Sequence, residues 1–116
     1  MKSGGENVSA LEVERFLEME TPFIRTAAVV GVPDDKWQEA VTAVISLNPE
    51  LEKEGKTTPE EIIQFCKGKI AGYKIPKNVI IIEHQELAQH FLLLGKKNKN
   101  KIRELALEKL GITEEE

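Results

Sequence analysis

Two long apolar stretches, Ile24–Val32 and Glu39–Leu47, limit the architectures open to this chain more than any other feature. The first is rich in Val, Ala and Ile and reads as a strand that ends in the turn signal Gly31-Val32-Pro33-Asp34-Asp35. The second carries Ala, Val, Thr and Ile with no polar alternation, the pattern of a well-buried strand. A third, shorter strand is predicted at Val79–Ile82. Helical signals flank these runs. Ser9 with Glu12 three residues on is a capping-box pattern, and Leu11, Val13, Phe16 and Leu17 give a helical face through about Met19. Thr58-Pro59-Glu60-Glu61 combines a cap, a first-turn proline and acids near the positive helix end, and the helix is predicted to run to about Ile70. A last helix is predicted over Asn98–Leu110, with Gly111 as its stop. Residues 48–56 read as a charged loop, and 85–94 fit neither period cleanly. The predicted fold is a small two-layer α+β domain, a sheet of about three strands with three helices packed on it.

A chain of 116 residues has room for a single core, so residues 1–116 are read as one domain with a flexible acidic tail at 112–116. With one Trp and one Tyr, that core must be aliphatic. No apolar run is long enough to span a membrane, and no basic-then-apolar leader opens the sequence, so a cytoplasmic location and no membrane partner are expected. The single cysteine, Cys66, excludes an internal disulfide and reads as a small buried hydrophobe. His84 and His90 lack zinc-site spacing to Cys66, so no metal site is expected, and no acid at readable spacing makes a triad with either. No glycine-rich loop ending in Gly-Lys-Ser/Thr is present.

The net charge of -4 hides an asymmetry. Residues 1–60 hold twelve acids and six bases, and residues 61–116 hold eight acids and ten bases. The excess base is concentrated at Lys96, Lys97, Lys99, Lys101 and Arg103. By charge alone this patch suits a solvated helix start, a phosphate ligand or nucleic acid.

Three stretches carry a family resemblance. Gly4-Gly5-Glu6-Asn7-Val8-Ser9 with Glu12-Val13-Glu14 is the first, and Ala28-Val29-Val30-Gly31-Val32-Pro33-Asp34 with Trp37 and Glu39 is the second. Ala71-Gly72-Tyr73-Lys74-Ile75-Pro76-Lys77 is the third. In order and spacing they resemble the small C-terminal domain of the adenylate-forming enzymes, which include acyl- and aryl-CoA synthetases, over roughly residues 2–84. The resemblance implies a lid domain that begins just after an interdomain hinge and works against an N-terminal adenylation domain. ATP, as its Mg complex, and coenzyme A are the implied cofactors of the full-length enzyme, with none bound by the isolated domain. A small carboxylate is the implied substrate. The carboxylate is first adenylated, the small domain rotates, and a thiol then attacks the adenylate. The small domain presents a different face in each step.

By that resemblance the Gly4-Gly5-Glu6 loop lines the channel for the pantetheine arm. Backbone without side chains can approach a thin chain closely, whereas the residues by themselves read better as a strand-end turn. Lys74 is implied to meet the nucleotide end of coenzyme A, as a mobile point charge for phosphate, with Lys77 a weaker candidate. Trp37 reads as a packing aromatic. The family's catalytic lysine follows a Gly in a loop after the last strand, and Gly95-Lys96 is the Gly-Lys pair at that place. Lys97, Lys99 and Lys101 stay open as alternatives, because the stretch Gln89–Leu94 departs from the family pattern: its Pro-Arg and Thr are replaced by Phe91-Leu92-Leu93-Leu94. These four are expected to anchor on the domain or on a neighbouring copy, with Gly95 giving the bend and Lys96 left at the surface. The face meant for the large domain is expected to be partly exposed and prone to self-association. The competing readings are a stand-alone non-catalytic relic or interaction module of the same fold, and a small nucleic-acid or phosphate binder using residues 96–103.

Overall fold

The computed structural model describes residues 1–92 and 95–113. Two strands, β1 (Lys2–Ser3) and β2 (Glu6–Asn7), form a minimal hairpin around Gly4 and Gly5. Helix α1 (Ala10–Glu20) follows, capped by the Ser9 hydroxyl, which accepts from the Glu12 amide at 3.2 Å. Strands β3 (Ile24–Asp34) and β4 (Gln38–Leu47) pair antiparallel along almost their whole length. After α2 (Pro49–Glu54) and α3 (Pro59–Cys66), strand β5 (Asn78–Ile81) returns parallel to β4. Helices α4 (His84–Ala88) and α5 (Lys99–Leu110) complete the chain.

The sheet order is β2-β1-β4-β3, with β5 also on β4, so β4 is central and, among the described residues, one edge of β3 has no strand beside it. Both faces of the sheet are covered. One core joins α1 and α3 to Ala27, Val29, Val41, Ala43, Ile45 and Val79. The other joins α4 and α5 to Ala28, Val30, Val32, Val44 and Ile82. The alternation follows from the two-residue period of a strand, and it explains why the long apolar runs lack polar gaps. Two polar residues in β4 are buried but satisfied. Thr42 Oγ1 donates to the Ala40 carbonyl at 3.1 Å and accepts from Asn78, and Ser46 Oγ lies 2.9 Å from His84 Nδ1.

The α+β class and the three long strands are as the sequence predicts; the finer count is not. The sheet has five strands rather than three, because the first residues pair with each other and Ser3 pairs with Gln38. Among the described residues there are five α-helices rather than three, and they sit on both faces, giving one layer more than expected. The expected charged loop at 48–56 contains α2, which Pro49 opens with acids in the first turn and Gly55 closes. Helix α3 ends at Cys66, short of Ile70, where Lys67 turns extended. Ile112 still packs on the second core, and residues 114–116 of the acidic tail lie outside the described residues. Among the described residues no helix is long and apolar enough to cross a membrane.

Candidate functional site

Gly4 and Gly5 have φ of 60° and 85°, a conformation that side chains resist and a two-residue hairpin requires. The Gly4 amide donates to the Trp37 carbonyl at 3.0 Å. The Trp37 ring lies over Gly4, and the Lys77 ammonium lies 4.8 Å from the ring centroid. The glycine turn is thus a strand-end turn whose bare backbone is half covered by an indole. Glu6 is exposed beside it. Burial lowers the Lys77 pKa from its ordinary value.

Lys74 closes a short 3-10 turn, Gly72–Lys74. Its ammonium reaches Glu12 of α1 at 2.8 Å rather than the glycine turn. That hydrogen bond raises the Lys74 pKa from its ordinary value. The structure therefore joins Gly4, Trp37 and Lys77 and ties Lys74 to α1.

Lys96 lies opposite Leu92 in a small hairpin, between the bend at Gly95 and the bridged Lys97. Phe91 and Lys97 form a β-bridge, the Leu92 amide donates to the Lys96 carbonyl, and Gly95, at φ 77°, makes the bend. Phe91 packs on the second core as expected, but Leu92 is 52% exposed, because its backbone is held in the hairpin while its side chain faces outward. Leu93 and Leu94 lie outside the described residues. Lys96 is exposed, and among the described residues no hydrogen bond or ion pair engages its ammonium. Its alternatives are occupied. Lys97 lies 3.2 Å from Glu18, Lys99 is bonded to Glu14, and Lys101 lies 3.6 Å from Glu104. The hairpin precedes the segment that lines the free edge of β3, whereas the glycine turn closes β1–β2 on the other side of β4.

Glu14 was not evident as a site residue from sequence. It is 4% exposed, and its carboxylate accepts from the Val29 amide at 2.7 Å. The signal was its place between Val13 and Leu17 on the inward face of α1, one turn from Glu18. The Ser46–His84 pair offers no nucleophile to a substrate, since Ser46 is fully buried. An open groove of about 590 Å³ beside His84 mixes Arg25 and Lys53 with Glu52 and Glu83. Among the described residues no cluster of three metal-ligating side chains occurs.

Comparison with known proteins bears on the whole domain. The chain is 42% identical over 110 residues to a mitochondrial medium-chain acyl-CoA ligase of Danio rerio, covering 94% of this chain and 16% of that protein. It is 47% identical over 79 residues to a 4-hydroxybutyrate–CoA ligase of Metallosphaera sedula, covering 68% of this chain and 14% of that one. The chain thus spans about one sixth of the length of these curated relatives. Among solved structures, a fatty acyl CoA synthetase of Mycobacterium tuberculosis superposes with a TM-score of 0.77 at 30% identity, over 94% of this chain and 20% of that one. ATP-bound MatB from Rhodopseudomonas palustris gives a TM-score of 0.77 at 28% identity, over 95% of this chain and 20% of that one. Residues 12–91 match the family described as the AMP-binding enzyme C-terminal domain, so the chain belongs to the C-terminal domain family of the adenylate-forming enzymes.

Proposed function

We propose that this domain is the mobile lid of an ATP-dependent acid–thiol ligase, an acyl-CoA synthetase in the broad sense. Residues 1–116 act against an N-terminal adenylation domain that holds the carboxylate and the nucleotide. In the first half-reaction Lys96 meets the carboxylate and α-phosphate oxygens. A fixed cation there offsets negative charge that builds on phosphorus as the carboxylate attacks and pyrophosphate leaves. ATP enters as its Mg complex. In the second half-reaction the domain turns, and the Gly4-Gly5-Glu6 turn lines the channel through which the coenzyme A thiol reaches the adenylate. Lys74 meets a phosphate at the nucleotide end of coenzyme A by exchanging its exposed bond to Glu12 for the phosphate, a swap of one surface ion pair for another.

The observation that carries this reading is the separation of the two groups. The glycine turn joins β1 and β2, beyond β4 in the sheet order, whereas Lys96, whose ammonium has no partner among the described residues, adjoins the Lys97–Lys99 segment along the outer edge of β3, and this separation supports a domain that presents a different surface in each half-reaction. Catalysis then depends on groups from two domains brought together. The isolated chain is expected to give no carboxylate-dependent ATP–pyrophosphate exchange, and joining it to its adenylation domain is expected to restore exchange. Exchange by the isolated chain that disappears in Lys96→Ala would overturn the two-domain reading.

A further inference from the structure

The free edge of β3 is closed by side chains instead of a strand. Ala27, Val29 and Gly31 alternate along the strand, so their amides and carbonyls all face outward from β4. Glu18 and Glu14 accept from the Ala27 and Val29 amides at 2.9 and 2.7 Å. Lys97, Lys99 and Arg103 donate to the Ala27, Val29 and Gly31 carbonyls at 2.6, 2.8 and 2.8 Å. The two sets then neutralise each other. Lys97 lies 3.2 Å from Glu18 and 3.5 Å from Glu14, and Lys99 is bonded to Glu14. The spacings explain the fit. Glu14 and Glu18, four residues apart on α1, are separated by a rise of about 6.0 Å, close to the two-residue step of about 6.6 Å along the strand edge, and Lys97 and Lys99 flank the Asn98 cap of α5.

We propose that Glu14 and Glu18 are positioning residues for Lys96, an inference that rests on the reading of Lys96 given above. Lys97, bridged to Phe91, and Lys99, the first residue of α5, reach the strand edge from either side of the Asn98 cap, while Lys96, next to Lys97, is exposed. Clamping the first two on the strand edge commits Lys96 to solvent and fixes the backbone beside it. A slip of one residue would bury Lys96 and present Lys97. The clamp therefore selects which lysine of this lysine-rich run reaches the nucleotide.

The first test uses the full chain and acylation of lysine amines under native conditions, resolved by residue with mass spectrometry. Lys96 is expected to react as fast as exposed Lys101, and Lys97 about 10-fold more slowly, the protection that a closed local contact gives. Glu18→Gln keeps an oxygen for the Ala27 amide and removes the charge; it should bring Lys97 close to the Lys96 rate with the fold intact by circular dichroism. Glu14→Gln should do the same for Lys99, which guards against a fold effect peculiar to one variant. The second test joins the domain to its adenylation domain. Glu18→Gln should lower kcat for adenylate formation about 10-fold and leave KM for ATP and the thioester half-reaction unchanged, as loss of geometry at one step requires. Equal labelling of Lys96 and Lys97 in the wild type would overturn the proposal. So would a wild-type adenylation rate in Glu18→Gln while Lys96→Ala is crippled. An unimpaired Lys96→Ala would overturn the underlying role of Lys96 and this proposal with it.

Discussion

The indole of Trp37 fills the space above Gly4: a Cβ added there would lie 2.9 Å from Trp37 Cε3. The neighbouring Gly5 has the same sign of φ, yet a Cβ there would meet nothing within 4 Å. The pair separates the two demands placed on a glycine turn, backbone conformation and close approach. Gly5→Ala should cost only the conformational penalty of about 1–2 kcal/mol. Gly4→Ala adds a steric clash of about 1–3 kcal/mol to that penalty. Urea unfolding of the two variants measures the difference, and equal midpoints would contradict the packing of Trp37 on Gly4.

Glu14 and Glu12 sit two residues apart on α1 but in opposite surroundings. Glu14 is buried among the Val29 amide and two ammonium groups, whereas Glu12 makes one exposed pair with Lys74. Glu14→Ala should destabilise the fold by about 2–4 kcal/mol, since it orphans a buried amide and uncompensates two cations. Glu12→Ala should change stability by less than about 1 kcal/mol, as exposed pairs do. Denaturant titration of both variants is the check, and a near-neutral Glu14→Ala would show that water replaces the carboxylate.

Cys66 is fully buried in the first core, and burial raises its pKa above the ordinary 9.0. The thiol keeps its proton in the fold at a pH where the unfolded chain has released it. Its contribution is therefore fully present below about pH 9 and is lost as pH rises toward the native pKa. The stability advantage of wild type over Cys66→Ala should shrink between pH 8 and about pH 10, followed by denaturant unfolding. A constant difference across that window would mean that the thiol is not desolvated.

Much of this fold could be read from residue pattern, and the reasons for the exceptions are physical. Strands β3 and β4 were legible because an unbroken apolar run needs cover on both faces, and α5 because Asn98 and Gly111 mark its two ends. The β1–β2 hairpin was not, since two-residue strands have no periodicity to detect and are held by long-range contacts such as Ser3 with Gln38 and the Gly4 amide with the Trp37 carbonyl. Helix α2 was hidden because none of its six residues is buried, leaving Pro49, Glu50 and Gly55 as its only signals. At the site, Gly95-Lys96 and the glycine turn were visible as motifs. The roles of Glu14, Glu18, Lys97 and Lys99 were not, because they arise from contacts between α1, β3 and the start of α5. Charge counting shows a basic run; only the strand edge shows which of its lysines are spoken for.

The role proposed for Lys96, the cation for carboxylate adenylation, is open to direct kinetic measurement. With the domain joined to its adenylation domain, single-turnover adenylate formation is compared between wild type and Lys96→Ala, with thioester formation from preformed adenylate followed separately. Lys96→Ala is expected to slow the first half-reaction about 100-fold or more, the loss of one transition-state charge contact worth about 3–4 kcal/mol, with little change in the second. An unchanged rate of adenylate formation in Lys96→Ala would contradict it.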